Sequence, residues 1–90
     1  MFGTSTEQKN LESLLDSLAR SYLRGAVTGT PEGRRSLCAE ISEVATAAQN
    51  AGKHKVISRA RAYRPAFLGA LPGDVQREFE ELQAAALRLS

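Results

Sequence analysis

The stretch TPEGRRSLCAEISEVATAAQNAG (residues 30–52) decides the fold, because it carries both a start signal and a stop signal for one long helix. Thr30 can accept a hydrogen bond from a free amide of the first turn. Pro31 suits the first helical position, where the amide hydrogen that it lacks would have no helical partner. Gly52 suits the left-handed conformation that commonly follows a helix. These signals predict a helix over residues 31–50.

Apolar side chains recur every three or four residues within this helix, so they fall on one face of it. The face consists of Leu37, Cys38, Ile41, Val44, Ala45 and Ala48. Two of these six residues are alanines, whose small side chains let a neighbouring helix approach closely. We therefore expect the other segments of the chain to pack against this face.

Three more segments show helical periodicity, and no segment shows the alternation of a strand. Leucines at i, i+3, i+4 and i+7 spacing mark the first segment. Pro65 ends the second, because the residue before a proline avoids helical geometry. Val75, Phe79 and Leu82 share one face of the third. We predict an all-α fold, a small antiparallel bundle of about four helices at residues 5–24, 31–50, 53–63 and 73–89.

Apolar residues outside these faces lead to three further expectations. The segment at residues 65–71 holds Phe67 and Leu68 between two prolines and predicts a one-turn element. It is either a plug that closes one end of the core or an exposed hook for a partner. Val27 is expected to tuck beneath the first two helices, and Leu87 is expected to be exposed.

The length of 90 residues predicts one domain, which we place at residues 5–90 with residues 1–4 as a flexible tail. No segment reaches the roughly 20 apolar residues that span a bilayer. The first residues lack the apolar centre of a signal peptide. The sequence therefore predicts a cytoplasmic protein without membrane attachment.

Catalytic and metal-binding patterns are missing from the sequence. A nucleophile needs a base and an orienting group close by, and the chain has one cysteine, Cys38, and one histidine, His54. Cys38 belongs to an apolar helix face, whereas His54 begins the next helix. Structural zinc needs about four Cys or His ligands, and the glycines form no phosphate-binding loop. We predict that the protein is not an enzyme and holds no metal and no cofactor.

Positive charge is concentrated in the segment KHKVISRARAYR (residues 53–64), which carries five basic and no acidic side chains. The remainder of the chain is net negative, so the overall charge of +2 arises in this segment. Such a segment and the apolar residues after it are candidates for contact with a partner. The predicted contact residues are Lys55, Arg59, Arg61, Tyr63, Arg64, Phe67 and Leu68.

The leading hypothesis for function is a small non-enzymatic interaction protein, an adaptor, inhibitor or assembly factor, that binds an acidic protein or a second copy of itself. The alternative is a nucleic-acid-binding module. Its phosphate contacts are Lys53, Lys55, Arg59, Arg61 and Arg64, with Tyr63 stacked on a base. A structural subunit of a larger assembly is a third option. The same charges also fit long side chains that extend to solvent from the rim of a packed helix.

Overall fold

The computed structural model describes residues 6–25 and 27–88, so the predicted tail at residues 1–4 lies outside the described residues. The described part of the chain folds into four helices without strands, which confirms the predicted all-α bundle. Two short 3₁₀ helices, Val27–Gly29 and Leu68–Ala70, lie in the connections, and the second is the predicted one-turn element. The four helices are α1 (Thr6–Arg20), α2 (Pro31–Asn50), α3 (His54–Ala62) and α4 (Gly73–Leu87).

Helix α2 begins where its sequence predicts. The Thr30 hydroxyl oxygen accepts a hydrogen bond from the Gly33 amide at 3.0 Å, and Pro31 occupies the first helical position. The cap satisfies one of the amides that have no partner inside the helix. The start of α2 is therefore fixed by local chemistry alone.

Helix α2 also ends as predicted, at a glycine with positive φ. Gly52 has a φ of 78°, and its amide donates to the Gln49 carbonyl at 2.9 Å. The Lys53 amide donates to the Ala48 carbonyl at 2.8 Å. This pair of bonds is the Schellman arrangement, which satisfies carbonyls at the end of the helix and reverses the chain. Because α3 begins at the next residue, the turn places α3 directly against α2.

The apolar face of α2 is the centre of the core, and α2 contacts α1, α3 and α4. All four helices supply fully or nearly fully buried apolar side chains, as their periodicities predict. Cys38 and Val44 lie at the edge of the core and are partly buried. The largest buried apolar side chains are Leu11, Leu15, Leu18, Ile41, Leu68, Phe79 and Leu87.

Helix α1 ends at Arg20, four residues earlier than predicted. The amides of Tyr22 and Leu23 donate to the carbonyls three residues before them, at 3.2 and 2.8 Å. Bonds of this kind tighten the last turn and replace the α-helical pattern. The chain therefore leaves the helix before Gly25.

The prediction that Val27 tucks beneath the first two helices is wrong, because this side chain is 79% exposed. The backbone of the connection, rather than the valine, packs against the helix ends. A Cβ atom added to Gly29 would lie 1.9 Å from the Arg24 carbonyl oxygen, and one added to Gly33 would lie 2.0 Å from the Val27 carbonyl oxygen. Two glycines thus allow a close approach of backbones that turns the valine side chain outward.

The prediction that Leu87 is exposed is also wrong, because this side chain is fully buried. Phe79, Gln83 and Leu87 stand four residues apart and form one buried row on α4. Since the middle residue of the row is polar, apolar periodicity alone does not show that the row continues to Leu87. The row is buried because α4 packs against α1, α2 and α3 together.

The segment at residues 65–71 closes one end of the core. Leu68 is 1% exposed and Leu71 is 6% exposed, and Pro65 is also buried. Phe67 is half-buried and packs against the core from outside. The plug interpretation is therefore confirmed for both leucines, and the exposed-hook interpretation is wrong for them.

Candidate functional site

The basic segment predicted from the sequence lies on α3 and the residues at its two ends. The cations at the ends are neutralised within the bundle. Lys53 Nζ lies 3.0 Å from Glu7 Oε2 on α1, and Arg64 forms an ion pair with Glu80 on α4. The hydrogen bond from Lys53 lowers the pKa of the Glu7 carboxyl below its usual value. These two contacts tie α3 to its neighbours, so neither cation carries a full uncompensated charge.

The other three cations of the segment, Lys55, Arg59 and Arg61, are exposed. None of them forms an ion pair or a hydrogen bond with another residue in the described ranges 6–25 and 27–88. Lys55 and Arg59 are four residues apart and share one edge of the exposed side of α3, while Arg61 lies at the opposite edge. The small exposed residues Ser58 and Ala62 lie between these edges. We call the exposed side of α3 formed by these five residues the basic face.

Tyr63, the predicted aromatic contact, is half-buried and bound to α1. Its hydroxyl donates a hydrogen bond to Asp16 Oδ1 at 2.8 Å. Burial, the bond to Asp16 and the nearby charge of Glu12 together raise the pKa of Tyr63 to about 12. A ring held in this way offers little free surface for stacking on a nucleic-acid base.

Phe67 and Leu68, the predicted apolar contacts, differ in accessibility. The Arg20 guanidinium carbon lies 5.0 Å from the centroid of the Phe67 ring, within the range of a cation–π contact. Leu68 belongs to the core, so a partner reaches it only if the segment at residues 65–71 moves away. Of these two residues, only Phe67 has a side chain that a partner can reach without such a movement.

An open groove of about 650 Å³ lies beside the basic face, between the C-terminal end of α3 and the C-terminal half of α4. Three arginines, Arg61, Arg64 and Arg88, line it together with one carboxylate, that of Glu80. Arg88 is a contribution that the sequence did not indicate, because it lies far along the chain from the basic segment. The fold alone brings it beside the arginines of α3.

Gln83 forms part of the groove and is the second residue that sequence reasoning missed. Its side chain is 5% exposed, and Nε2 donates to the Ala60 carbonyl at 2.8 Å and to the Tyr63 carbonyl at 3.0 Å. One of these acceptors belongs to the last turn of α3 and the other follows it, where carbonyls lack helical partners. The position of Gln83, four residues after Phe79, is the signal that predicts its burial.

Cys38 and His54, the two residues considered for catalysis, lie in different environments. Cys38 is half-buried, and burial raises the pKa of its thiol, which lowers the fraction of reactive thiolate. His54 is exposed at the first position of α3. Within residues 6–25 and 27–88, no group of three or more His, Cys, Asp or Glu side chains is placed to hold a metal ion. No helix in these ranges has the length and apolar character needed to cross a membrane.

Comparison with known proteins identifies no relative of this chain. No family model, no curated protein and no solved structure matches the chain. The functional interpretation therefore depends on the charges, burial and contacts described above.

Proposed function

We propose that this protein is a small non-enzymatic interaction module that binds an acidic segment of a protein partner across the basic face. The observation that carries the proposal is the state of Lys55, Arg59 and Arg61. All three are exposed, and no carboxylate in the described part of the chain pairs with them. Uncompensated cations on one short helix attract acidic partners and set the orientation in which they dock.

The arrangement of the basic face suits an extended acidic segment. Cations stand at both edges, so carboxylates on either side of such a segment can each form a charge-assisted hydrogen bond. Ser58 and Ala62 between them are small, which lets the backbone of the segment approach the helix. Phe67 is the one large apolar residue of the segment at residues 65–71 that is partly exposed, and we retain it as a flanking contact.

A second copy of the chain is a candidate for this acidic partner. Helix α2 exposes Glu32, Glu40 and Glu43 on the side away from the core. Contact between the glutamates of one copy and the basic face of another joins two different surfaces. Such a contact forms a closed dimer where a two-fold axis repeats it in both directions, and a ring or an open polymer where it does not.

Nucleic-acid binding is the alternative function, and the same three exposed cations favour it. Phosphates of a duplex or a single strand are neutralised by lysine and arginine in this way. The contact of Lys53 with Glu7 within the bundle reduces the number of cations available for phosphates. The half-buried state of Tyr63 reduces the surface that its ring offers for stacking, so we place this function second.

The two functions are separated by titrating the purified chain into a labelled polyglutamate peptide and, in parallel, into a labelled random-sequence duplex. Fluorescence anisotropy is recorded at low and at near-physiological salt, and light scattering follows self-association. The proposal predicts that the peptide binds more tightly than the duplex. Tighter duplex binding, with a log–log salt slope of about −0.9 per neutralised phosphate, would put the alternative first.

A further inference from the structure

The groove between the end of α3 and the C-terminal half of α4 has an excess of positive charge over negative charge. Arg61, Arg64 and Arg88 face the single carboxylate of Glu80. Glu80 is paired with Arg64, whereas Arg61 and Arg88 have no ion pair within residues 6–25 and 27–88. Two guanidinium groups of the groove therefore lack a carboxylate partner among the described residues, next to one that is already bound to a carboxylate.

The inner part of the groove is held in place by hydrogen bonds. Gln83 donates its side-chain amide to the carbonyls of Ala60 and Tyr63, which occupies two acceptors at the end of α3. Tyr63 is in turn fixed by its hydroxyl bond to Asp16 on α1. The backbone that carries Arg61 and Arg64 is consequently fixed before any partner binds. A site that is formed in advance loses less conformational freedom on binding.

The ion pair between Arg64 and Glu80 is easily exchanged. The two side chains are 54% and 46% exposed, and exposed ion pairs contribute little to stability because water and salt compete with them. A carboxylate from another molecule can replace Glu80 on Arg64 without unfolding any element. The internal occupant also shows which chemistry fits, since a glutamate side chain is what now contacts the arginine.

We infer that this groove is a carboxylate-binding site for an acidic protein segment, and that Glu80 is an internal competitor which the carboxylate of the partner displaces from Arg64. The inference rests on the proposed function, because an acidic segment on the basic face reaches the groove through Arg61, which borders both. Competition by Glu80 for Arg64 lowers the affinity of the groove for an acidic segment. Displacing Glu80 costs the partner part of its binding free energy, so a segment with few carboxylates binds the groove more weakly than a densely acidic one.

The test compares two variants that each remove one negative charge from α4. Glu80→Gln releases Arg64, whereas Glu81→Gln changes an exposed neighbour that has no ion pair in the described residues. Dissociation constants of a labelled polyglutamate peptide are measured by fluorescence anisotropy at low ionic strength, using the full chain. We expect Glu80→Gln to bind about five-fold more tightly than Glu81→Gln, which corresponds to about 1 kcal/mol. Equal affinity of the two variants overturns the inference.

A second pair of variants tests the arginines directly. Arg88→Gln removes a cation of the groove, and Arg35→Gln removes an exposed cation of α2 as the control. We expect the first variant to bind the peptide several-fold more weakly than the second. If both variants bind alike, Arg88 makes no contact with the carboxylates, and the assigned site is wrong. Circular dichroism verifies that each variant remains helical.

The outcomes distinguish the groove from the proposed function. In one outcome the peptide binds and Arg59→Glu lowers its affinity, but the variants at Glu80 and Arg88 match their controls. The peptide then binds through the basic face, and the groove is excluded as a binding site. If the peptide binds no form of the chain, both are excluded. If Glu80→Gln strengthens binding of a labelled duplex and not of the peptide, the groove takes phosphate, and the carboxylate assignment is overturned.

Discussion

The hydroxyl of Tyr63 donates a hydrogen bond to the Asp16 carboxylate at 2.8 Å and so connects the end of α3 to α1. Both side chains are half-buried, and the bond spans 47 positions of the chain. It fixes the point at which α3 gives way to the segment at residues 65–71. The orientation of the basic face relative to the rest of the bundle depends on contacts of this kind.

Tyr63→Phe removes this bond without changing the shape of the ring. We expect the free energy of unfolding, measured with urea, to fall by about 1 kcal/mol, the usual contribution of such a hydrogen bond. In an Asp16→Ala background the same substitution is expected to cost much less, because the acceptor is already gone. Equal losses in the two backgrounds would contradict an interaction between these residues.

Alkaline pH provides a second test, because the pKa of both Tyr22 and Tyr63 is raised to about 12. Burial is the main cause for both, with Glu78 acting on Tyr22 and Asp16 on Tyr63. The folded state favours the protonated phenol, so this stabilisation is complete below the ordinary tyrosine pKa of about 10 and is lost as pH rises towards about 12. The free energy of unfolding is expected to decline across that window.

The control for this decline is a chain that carries both Tyr22→Phe and Tyr63→Phe. This variant has no phenol to ionise at either position. Its free energy of unfolding should therefore fall less than that of the unmodified chain between pH about 10 and about 12. A decline of the same size in both chains would show that other groups cause it.

Gln83→Met tests the hydrogen bonds that hold the end of α3. Methionine has a similar volume but no donor, so the carbonyl of Tyr63 loses its partner and that of Ala60 keeps only the backbone amide of Tyr63. We expect a loss of about 1–3 kcal/mol in urea unfolding. The control, Gln49→Met on the exposed side of α2, should stay within about 0.5 kcal/mol. Similar results for both would mean that Gln83 is held by packing alone.

Gly33→Ala reverses the usual effect of replacing a helical glycine. Alanine normally stabilises a helix by up to about 1 kcal/mol relative to glycine. Here the new Cβ would lie 2.0 Å from the Val27 carbonyl oxygen, so we expect a net loss of about 1–3 kcal/mol. Gly25→Ala, where no atom lies within 4 Å, is the control and should be nearly neutral. A stabilised Gly33→Ala chain would contradict the close packing of the connection against α2.

The elements of the fold follow from the sequence wherever local signals agree. The cap at Thr30, the stop at Gly52 and the apolar periodicity between them all predict α2, and the structure has these features in place. The errors arise where burial depends on neighbours. Leu87 is buried in a row on α4 whose middle residue, Gln83, is polar. Val27 is exposed in a connection where Gly29 and Gly33 allow the backbone itself to pack closely.

The candidate site was predictable only in part, because charge is visible in the sequence and pairing is not. The basic segment is evident from its composition. The contacts that neutralise Lys53 and Arg64 join residues separated by 46 and 16 positions. Arg88 joins the groove only because the C-terminal half of α4 packs against the end of α3. Each of these facts depends on how the helices pack, which periodicity alone does not determine.

Binding through the basic face is tested most directly by the affinity of a labelled polyglutamate peptide for two charge-reversal variants, measured at low ionic strength. Arg59→Glu changes the basic face, and Arg35→Glu makes the same change of net charge on α2. If the peptide binds through the basic face, Arg59→Glu lowers the affinity for it by at least about five-fold relative to Arg35→Glu. Equal weakening by the two variants, or a peptide that does not bind the unmodified chain, would contradict binding through the basic face.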